Sequence, residues 1–254
     1  MSKIKEFTAE YQLLGGDCNA QERMPMTLIA HQLIDIATLH ANHLGIGYDD
    51  LFPQGKAWVL SRLSIEVLRY PKINEHYKIT TWVSSINRRF SERDFRLTDA
   101  NGEVFAYGRS VWLTINLADR SLGDLTGTDG LNEVLLDGVH APIAPFPRLG
   151  SIPTECNASY PYTFTYTDLD ANRHVNSVVY FRLMANCRDL DFYDTNSMRR
   201  VDIAFMHEAY YGQTASVCRT SHGDNADEII ITSDDTTHAR ILLTWDPAVR
   251  LGLS

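Results

Sequence analysis

Hydrophobic and polar residues follow the same order of patterns twice along the chain. In the first half, a short extended run at 7–16 leads into an apolar stretch of helical periodicity at 27–44, and four runs that alternate in the β manner follow. In the second half, an aromatic alternating run at 160–167 leads into a helical stretch at 176–189, which is again followed by alternating runs. Each half therefore predicts the element order β–α–β–β–β–β, and the chain reads as an internal repeat.

This order predicts an α+β fold in which each half sets one long helix against an antiparallel sheet. Both helical stretches are apolar around much of their circumference, so we expect other structure to wrap them. Proline and glycine recur throughout residues 121–159, and this pattern predicts a linker on the surface. The expected organisation is an N-terminal unit over 1–120, this linker, and a C-terminal unit over 160–254.

Length and charge narrow the classes of function. The chain has 254 residues and a formal net charge of −9. The length is sufficient for a hydrophobic core, and the acidic balance argues against broad binding of nucleic acid or of a membrane surface. A run of about 18 apolar residues does not occur, so no membrane span is expected. The positive charges are unevenly spread, because residues 56–96 hold nine Lys or Arg against four Asp or Glu.

Cysteine spacing bears on the compartment. The four cysteines, Cys18, Cys156, Cys187 and Cys218, are too far apart to form a CxxC pair for zinc or for dithiol chemistry. Scattered cysteines of this kind fit a reducing compartment, and the cytoplasm is therefore the expected location.

The two halves differ in the loop that precedes the helix. The second half carries Asp170, Asn172 and His174 at alternate positions of this loop, and Glu208 on its next strand. The aligned positions of the first half hold other side chains: Asn19, Gln21, Arg23 and Tyr70. In an extended loop, residues two apart face the same side, which would bring the three polar side chains together.

This set of side chains fits acid–base chemistry. Histidine titrates near neutral pH, a carboxylate can orient it or activate water, and the start of the following helix offers N–H groups to a carbonyl oxygen. The same residues are also typical of ordinary turns and helix caps. Their loss from the sister half favours a chemical role. The remaining histidines lack further ligands at metal-binding spacing, so neither a metal nor a cofactor is expected.

Residues 168–180 read Asp-Leu-Asp-Ala-Asn-Arg-His-Val-Asn-Ser-Val-Val-Tyr. This stretch resembles the D-x-N-x-H-V-N-x-x-Y signature of the acyl-acyl carrier protein (acyl-ACP) thioesterases, the bacterial relatives of plant plastid enzymes. Segments of the first half resemble the N-terminal pattern of the same family: Trp58–Arg62, Tyr70–Pro71, Thr81–Val83 and Ser110–Trp112. The similarity extends from Phe7 to Trp245. It implies a double hotdog fold and an acyl-ACP hydrolase that releases free fatty acid and so ends chain elongation in fatty acid biosynthesis.

The resemblance also implies roles for individual residues. Asp170, Asn172, His174 and Glu208 would be catalytic, and the first half would shape the acyl-chain pocket. Plant members have a cysteine after this glutamate, whereas Ala209 stands here, so a cysteine–histidine mechanism is not expected. Two further groups are expected, namely substrate contacts from Trp58, Arg62, Asn176 and Tyr180, and carrier docking by Arg88, Arg89 and Arg173.

Alternatives remain open at this point. Hotdog folds also carry acyl-CoA thioesterases and dehydratases, so the fold alone does not choose the reaction. A dehydratase would pair a histidine with a carboxylate without needing Asn172. A non-catalytic acyl-thioester sensor would need a basic DNA-binding segment, which the sequence lacks. A homodimer is also compatible with the sequence, since hotdog units pair.

Overall fold

Each half of the chain folds into its own unit, in which a helix lies against antiparallel strands. The computed structural model describes residues 4–125, 131–153 and 156–248, and the chain divides into the units Met1–Pro145 and Phe146–Ser254. The α+β class is thus confirmed, whereas the unit bounds at 120 and 160 stay a prediction. No helix in these described ranges is long and apolar enough to cross a membrane.

The first unit, within its described residues, contains five strands. They are β1 (Glu6–Gln12), β2 (Lys56–Val67), β3 (His76–Ile86), β4 (Phe90–Asp99) and β5 (Val104–Asn116). They pair antiparallel in the order β1-β3-β4-β5-β2. The helices of this unit are the long α1 (Met26–His43) and the single turns α2 (Tyr48–Leu51) and α3 (Leu131–Val134).

Helix α1 packs one face into the core and leaves the other in solvent. The buried face recurs at helical spacing: Ile29, Leu33, Ile36 and His40. Strand β5 approaches the helix so closely that a Cβ on Gly108 would lie 2.8 Å from the end of the Leu33 side chain, which would have to move to make room for it. The exposed face carries polar side chains: His31, Asp35, Thr38 and Asn42. The prediction that other structure wraps this helix is therefore wrong for one face, because these positions form a polar stripe.

The second unit, again within its described residues, contains five strands. They are β6 (Ala158–Thr163), β7 (Asn196–Phe205), β8 (Thr214–Ser221), β9 (Ala226–Ser233) and β10 (Thr236–Pro247). They pair antiparallel in the order β7-β10-β9-β8-β6. The predicted helix at 176–189 is the shorter α4 (Ser177–Ala185), and a further helix, α5 (Leu190–Thr195), follows it. The helices separate because the Asp189 carboxylate caps α5 by accepting the N–H of Phe192.

Part of the predicted linker packs into the first unit instead of lying on the surface. Leu131 and Val134 join a buried core cluster of that unit, and Ala141 and Ile143 pack against Trp82. Apolar side chains between the prolines account for this burial, because each is stabilised by leaving water. The linker residues outside the described ranges are 126–130 and 154–155.

Cys156 and Cys218 are joined by a disulfide, with their Cα atoms 5.7 Å apart. The bond ties the chain before β6 to β8, and its partners are 62 residues apart in sequence, so spacing alone did not reveal it. Because disulfides persist in oxidising surroundings, this bond is at odds with the expected reducing compartment. Cys18 and Cys187 are free thiols, and burial raises the pKa of Cys187 to about 12.

His40 is fully buried on α1 and is held in its neutral form. Its Nε2 donates to the Ile4 carbonyl at 2.9 Å, and its Nδ1 accepts from the Arg93 guanidinium at 2.8 Å. Burial, and then the charge of Arg93, lower the pKa of His40 to about 4. The folded protein therefore excludes a proton that the unfolded chain accepts below about pH 6.5.

We expect the contribution of His40 to stability to be complete above pH 6.5 and to be lost as the pH falls towards 4. His40→Asn should therefore reduce the difference in unfolding free energy between pH 7 and pH 5 by about 2 kcal/mol. Urea unfolding at the two pH values measures this difference. His31→Asn is the matched control, because His31 lies on the exposed face of the same helix. Equal pH responses of the two variants would contradict the prediction.

Candidate active site

The loop between β6 and α4 is fastened at its start by a buried carboxylate. Asp168 accepts hydrogen bonds from the Tyr162 hydroxyl at 3.0 Å, from the N–H of Thr165 at 2.8 Å, and from Arg182. Its carbonyl accepts the N–H of Asn176 at 2.8 Å, which closes the loop. Burial alone would raise the pKa of the Asp168 carboxyl, but these hydrogen bonds outweigh burial and hold the pKa below its usual value.

Asp170 organises the turn that carries the candidate catalytic residues. Its Oδ1 accepts the N–H groups of Asn172 at 2.8 Å and His174 at 3.1 Å, and its own N–H donates to the His174 carbonyl at 2.8 Å. Arg173, at the tip, has a φ of 64°. The loop is therefore a tight turn. The prediction of an extended loop with three side chains on one side is wrong, because the Asp170 carboxylate bonds the backbone from within.

The first unit contains the same turn with different side chains. The Oδ1 of Asn19 accepts the N–H groups of Gln21 at 3.1 Å and Arg23 at 2.9 Å, and the Asn19 N–H donates to the Arg23 carbonyl at 2.9 Å. Glu22, at the tip, has a φ of 55°. The internal repeat thus extends to individual hydrogen bonds, and an uncharged amide is sufficient to hold this turn.

His174 and Glu208 meet where two segments of backbone pair. The Nδ1 of His174 lies 3.2 Å from the Oε1 of Glu208, and both side chains are partly buried. Val175 donates its N–H to the Ala209 carbonyl at 2.9 Å, which fixes the approach of the two segments. Glu208 lies beyond the end of β7 and not on the strand as predicted, because pairing with β10 ends at Phe205.

Tyr210, which the sequence prediction omitted, completes this cluster. Its hydroxyl donates to the Oε2 of Glu208 at 3.3 Å, and its ring meets the His174 ring edge-on with centroids 5.3 Å apart. A tyrosine two residues beyond a candidate carboxylate is a signal that could have found it, since such residues share a face of extended chain. Within the described residues, no group of three or more His, Cys, Asp or Glu side chains is arranged to hold a metal ion.

The start of α4 is already capped. Asn176 is its N-cap residue, and the Asn176 Oδ1 accepts the N–H of Val178 at 2.9 Å. A substrate contact from Asn176 would therefore come from its Nδ2. Tyr180, one turn further on, is buried with its ring packed on Phe205, so it supports the site from the core. Burial, with the charge of Glu208 as a second cause, raises the pKa of Tyr180.

The other predicted substrate contacts lie on β2 of the first unit. Trp58 is half-buried against an apolar cluster, and its indole N–H donates to the Ile46 carbonyl at 2.8 Å. Arg62 is exposed on the same strand. The contacts described above for His174 come from residues of the second unit.

The predicted docking arginines are all exposed. Arg88 and Arg89 lie between β3 and β4, where Arg88 pairs with Asp124 at 2.8 Å, and Arg173 lies at the tip of the turn beside His174. Other cations within residues 56–96 either pair with carboxylates or are buried. These are Arg69 with Glu75 and Asp99, Lys78 with Glu10, and the buried Arg93. The positively charged surface is therefore smaller than the sequence suggested.

Comparison with protein families matches both halves of the chain. Residues 4–127 match the acyl-ACP thioesterase N-terminal domain, and residues 153–247 match the acyl-ACP thioesterase C-terminal domain. The chloroplastic oleoyl-acyl carrier protein thioesterase 2 of Arabidopsis thaliana is 28% identical over 219 residues, which cover 78% of this chain and 58% of that protein. The chloroplastic palmitoyl-acyl carrier protein thioesterase of Cuphea hookeriana is 22% identical over 80% of this chain and 51% of that protein. The chain thus spans about half the length of the curated relatives it matches.

Solved structures have the same fold. An acyl-ACP thioesterase from Bacteroides thetaiotaomicron is 27% identical and superimposes with a TM-score of 0.88, covering 95% of this chain and 98% of that one. The 12:0-ACP thioesterase from Umbellularia californica is 16% identical, with a TM-score of 0.89 over 96% and 98% of the two chains. The two units are therefore tandem hotdog units, which confirms the fold that the signature implied.

We expect Asp170→Ala to open the turn, because two N–H groups lose their acceptor, and Asp170→Asn to keep it, because the first unit uses an amide. Hydrogen exchange at the backbone amides of Asn172 and His174 measures the effect. Exchange should become about tenfold faster in the alanine variant and stay near the wild-type rate in the asparagine variant. Wild-type exchange in the alanine variant would show that the side chain does not hold the turn, and equally fast exchange in both variants would show that an amide cannot replace the carboxylate.

Proposed function

The chain belongs to the acyl-ACP thioesterase family, and we propose that it hydrolyses a fatty acyl thioester carried on an acyl carrier protein. The products would be the free fatty acid and the carrier thiol. Membership of the family supports this proposal, and the pairing of His174 with Glu208 is the observation that carries it.

His174 is the candidate general base. Its Nδ1 is engaged by Glu208, so Nε2 is the nitrogen that accepts a proton from water. Glu208 holds the ring in this tautomer and stabilises the imidazolium that forms. The oxygen of the water attacks the thioester carbonyl carbon, the C–S bond breaks, and the proton passes from His174 to the departing thiolate.

Asn172 is the candidate donor to the carbonyl oxygen. Its side chain is exposed at the turn, and an amide N–H can stabilise the negative charge that develops on that oxygen. We assign Asp170 to holding the turn, because its Oδ1 is occupied by two backbone N–H groups. Of the two carboxylates that the sequence offered, Glu208 is then the one that acts on His174.

The first unit is assigned to the acyl chain. Arg23 stands where the second unit has His174, so the turn of the first unit cannot perform the same acid–base step. Trp58 packs against an apolar cluster, which suits a residue that borders a hydrocarbon chain, and Arg62 and the Nδ2 of Asn176 are the proposed polar contacts. The proposal includes a cytoplasmic site of action, where the disulfide of the second unit would be reduced.

We expect the purified protein to release thiol from a fatty acyl-ACP, measured with a chromogenic thiol reagent. His174→Ala and Glu208→Gln should each lower kcat by about 100- to 10,000-fold, because the base and its orienting charge are removed. His31→Asn, at an exposed histidine, should keep full activity and serves as the control. Absence of thiol release from both acyl-ACP and acyl-CoA would favour a binding protein. Faster release from acyl-CoA than from acyl-ACP would identify acyl-CoA as the preferred substrate.

Carrier docking generates a separate expectation. Acyl carrier proteins are acidic, so Arg173→Glu and Arg89→Glu should each raise KM for acyl-ACP about threefold at low salt with little change in kcat. Arg88→Glu should act less, since Arg88 already pairs with Asp124. The effect should fade at high salt, because screening weakens exposed charges.

Arg148→Glu is the control for this series, because Arg148 is exposed but lies outside both groups of docking residues. If charge reversal at Arg173 and Arg89 raised KM no more than the control did, the docking assignment would fail while the hydrolytic assignment stood.

A further inference from the structure

Strand β10 contains a bulge at His238. Its pairing with β9 joins Thr237 to Thr232 and Ala239 to Ile231, so His238 is the extra residue between two paired positions. A bulge interrupts the alternation of a strand and redirects a side chain. Thr237, His238 and Ala239 are all buried, and His238 is only 2% exposed.

The bulge lies against the segment that carries Glu208. Met206 donates its N–H to the His238 carbonyl at 2.8 Å, and the Nδ1 of His238 lies 3.3 Å from the His207 carbonyl. The His207 ring returns a hydrogen bond to the Thr237 carbonyl at 2.8 Å, and the His238 ring also interacts with the backbone of Glu208. The stretch after β7 is thus held by β10 although the regular ladder has ended.

The surroundings of His238 indicate which ring nitrogen acts. Phe164 meets the ring edge-on with centroids 6.4 Å apart, and Nε2 is buried without a hydrogen-bond partner among the described residues. Burial lowers the pKa of His238 and so favours the neutral ring, which carries its proton on Nδ1, the nitrogen that faces the His207 carbonyl. An unpaired buried nitrogen costs free energy. Compared with an apolar side chain at position 238, the histidine therefore adds one useful group, the Nδ1–H donor.

We propose that His238 is a positioning residue, whose Nδ1–H holds the backbone at 207–208 so that the Glu208 carboxylate reaches His174. The inference rests on the proposed function for its catalytic consequence, because the 3.2 Å approach of Glu208 to His174 is what the thioesterase mechanism uses. His238 acts through Glu208 and does not touch substrate. Loss of its donor would let the carboxylate move, and a displacement of about 1 Å is enough to slow an enzyme by about 100-fold.

Three substitutions separate the donor from the bulk of the ring. His238→Leu fills the site without a donor, His238→Asn places an N–H near the position of Nδ1, and His238→Gln places one near the position of Nε2. We expect kcat for acyl-ACP to fall about 10- to 100-fold in the leucine and glutamine variants with KM within twofold of wild type. The asparagine variant should recover most of kcat. Thr237→Val is the control and should keep kcat, because valine has nearly the same size as the threonine it replaces at this neighbouring buried position.

A double-mutant cycle tests whether His238 acts through the carboxylate. In a Glu208→Gln background, His238→Leu should lower kcat no further, because the group it positions has been removed. Independent, multiplying losses would overturn the proposal, and so would a leucine variant with wild-type kcat or an asparagine variant as slow as the leucine variant. Should the leucine variant fail to fold, the comparison of asparagine with glutamine decides, since both are polar and of similar bulk.

A second readout does not depend on activity. Crystal structures of the wild type and of the His238 variants give the distance from His174 Nδ1 to Glu208 Oε1 directly. We expect this distance to exceed hydrogen-bonding range in the leucine and glutamine variants, which lack a donor at the Nδ1 position. The asparagine variant should keep the wild-type distance. An unchanged distance in all variants would overturn the positioning role. If the wild type released no thiol while the His238 variants showed the expected displacement, the proposed function alone would be refuted.

Discussion

The candidate site depends on how two irregular stretches of backbone satisfy their hydrogen bonds where regular sheet pairing ends. The carboxylates of Asp168 and Asp170 accept N–H groups of the loop before α4, and the segment after β7 bonds to that loop and to β10. A buried backbone group left without a partner costs about 1–3 kcal/mol. His174 and Glu208 therefore meet at a set distance because hydrogen bonds fasten the backbone of both segments close to them.

The two units show that this scaffold and its chemistry are separable. Asn19 and Asp170 hold the same turn with three equivalent hydrogen bonds, two accepted by the side-chain Oδ1 and one donated by the residue's own N–H, so neither the charge of Asp170 nor any reaction is needed to form it. What differs is the side chain that the turn presents, which is Arg23 in one unit and His174 in the other. A structural preference explains the turn, whereas the proposed catalytic role rests on the pairing of His174 with a carboxylate.

Local signals predicted the regular part of the fold well. Helix α1 was expected at 27–44 and lies at Met26–His43, and four strands follow it as expected. The errors fall where a distant contact overrides a local pattern. Leu131 is buried in a segment expected on the surface, because the core of the first unit offers it apolar partners that the local composition does not show.

By itself, the sequence determined the repeat, the α+β class and the half that carries a histidine and carboxylates, because periodicity and residue identity are local properties of the chain. Only the tertiary structure decided that Glu208, and not Asp170, faces His174, that Cys156 bonds to Cys218, and that the bulge at His238 closes on the segment before Glu208. Each of these contacts joins residues at least 30 positions apart. For segments this far apart in the chain, spacing in sequence does not show distance in space.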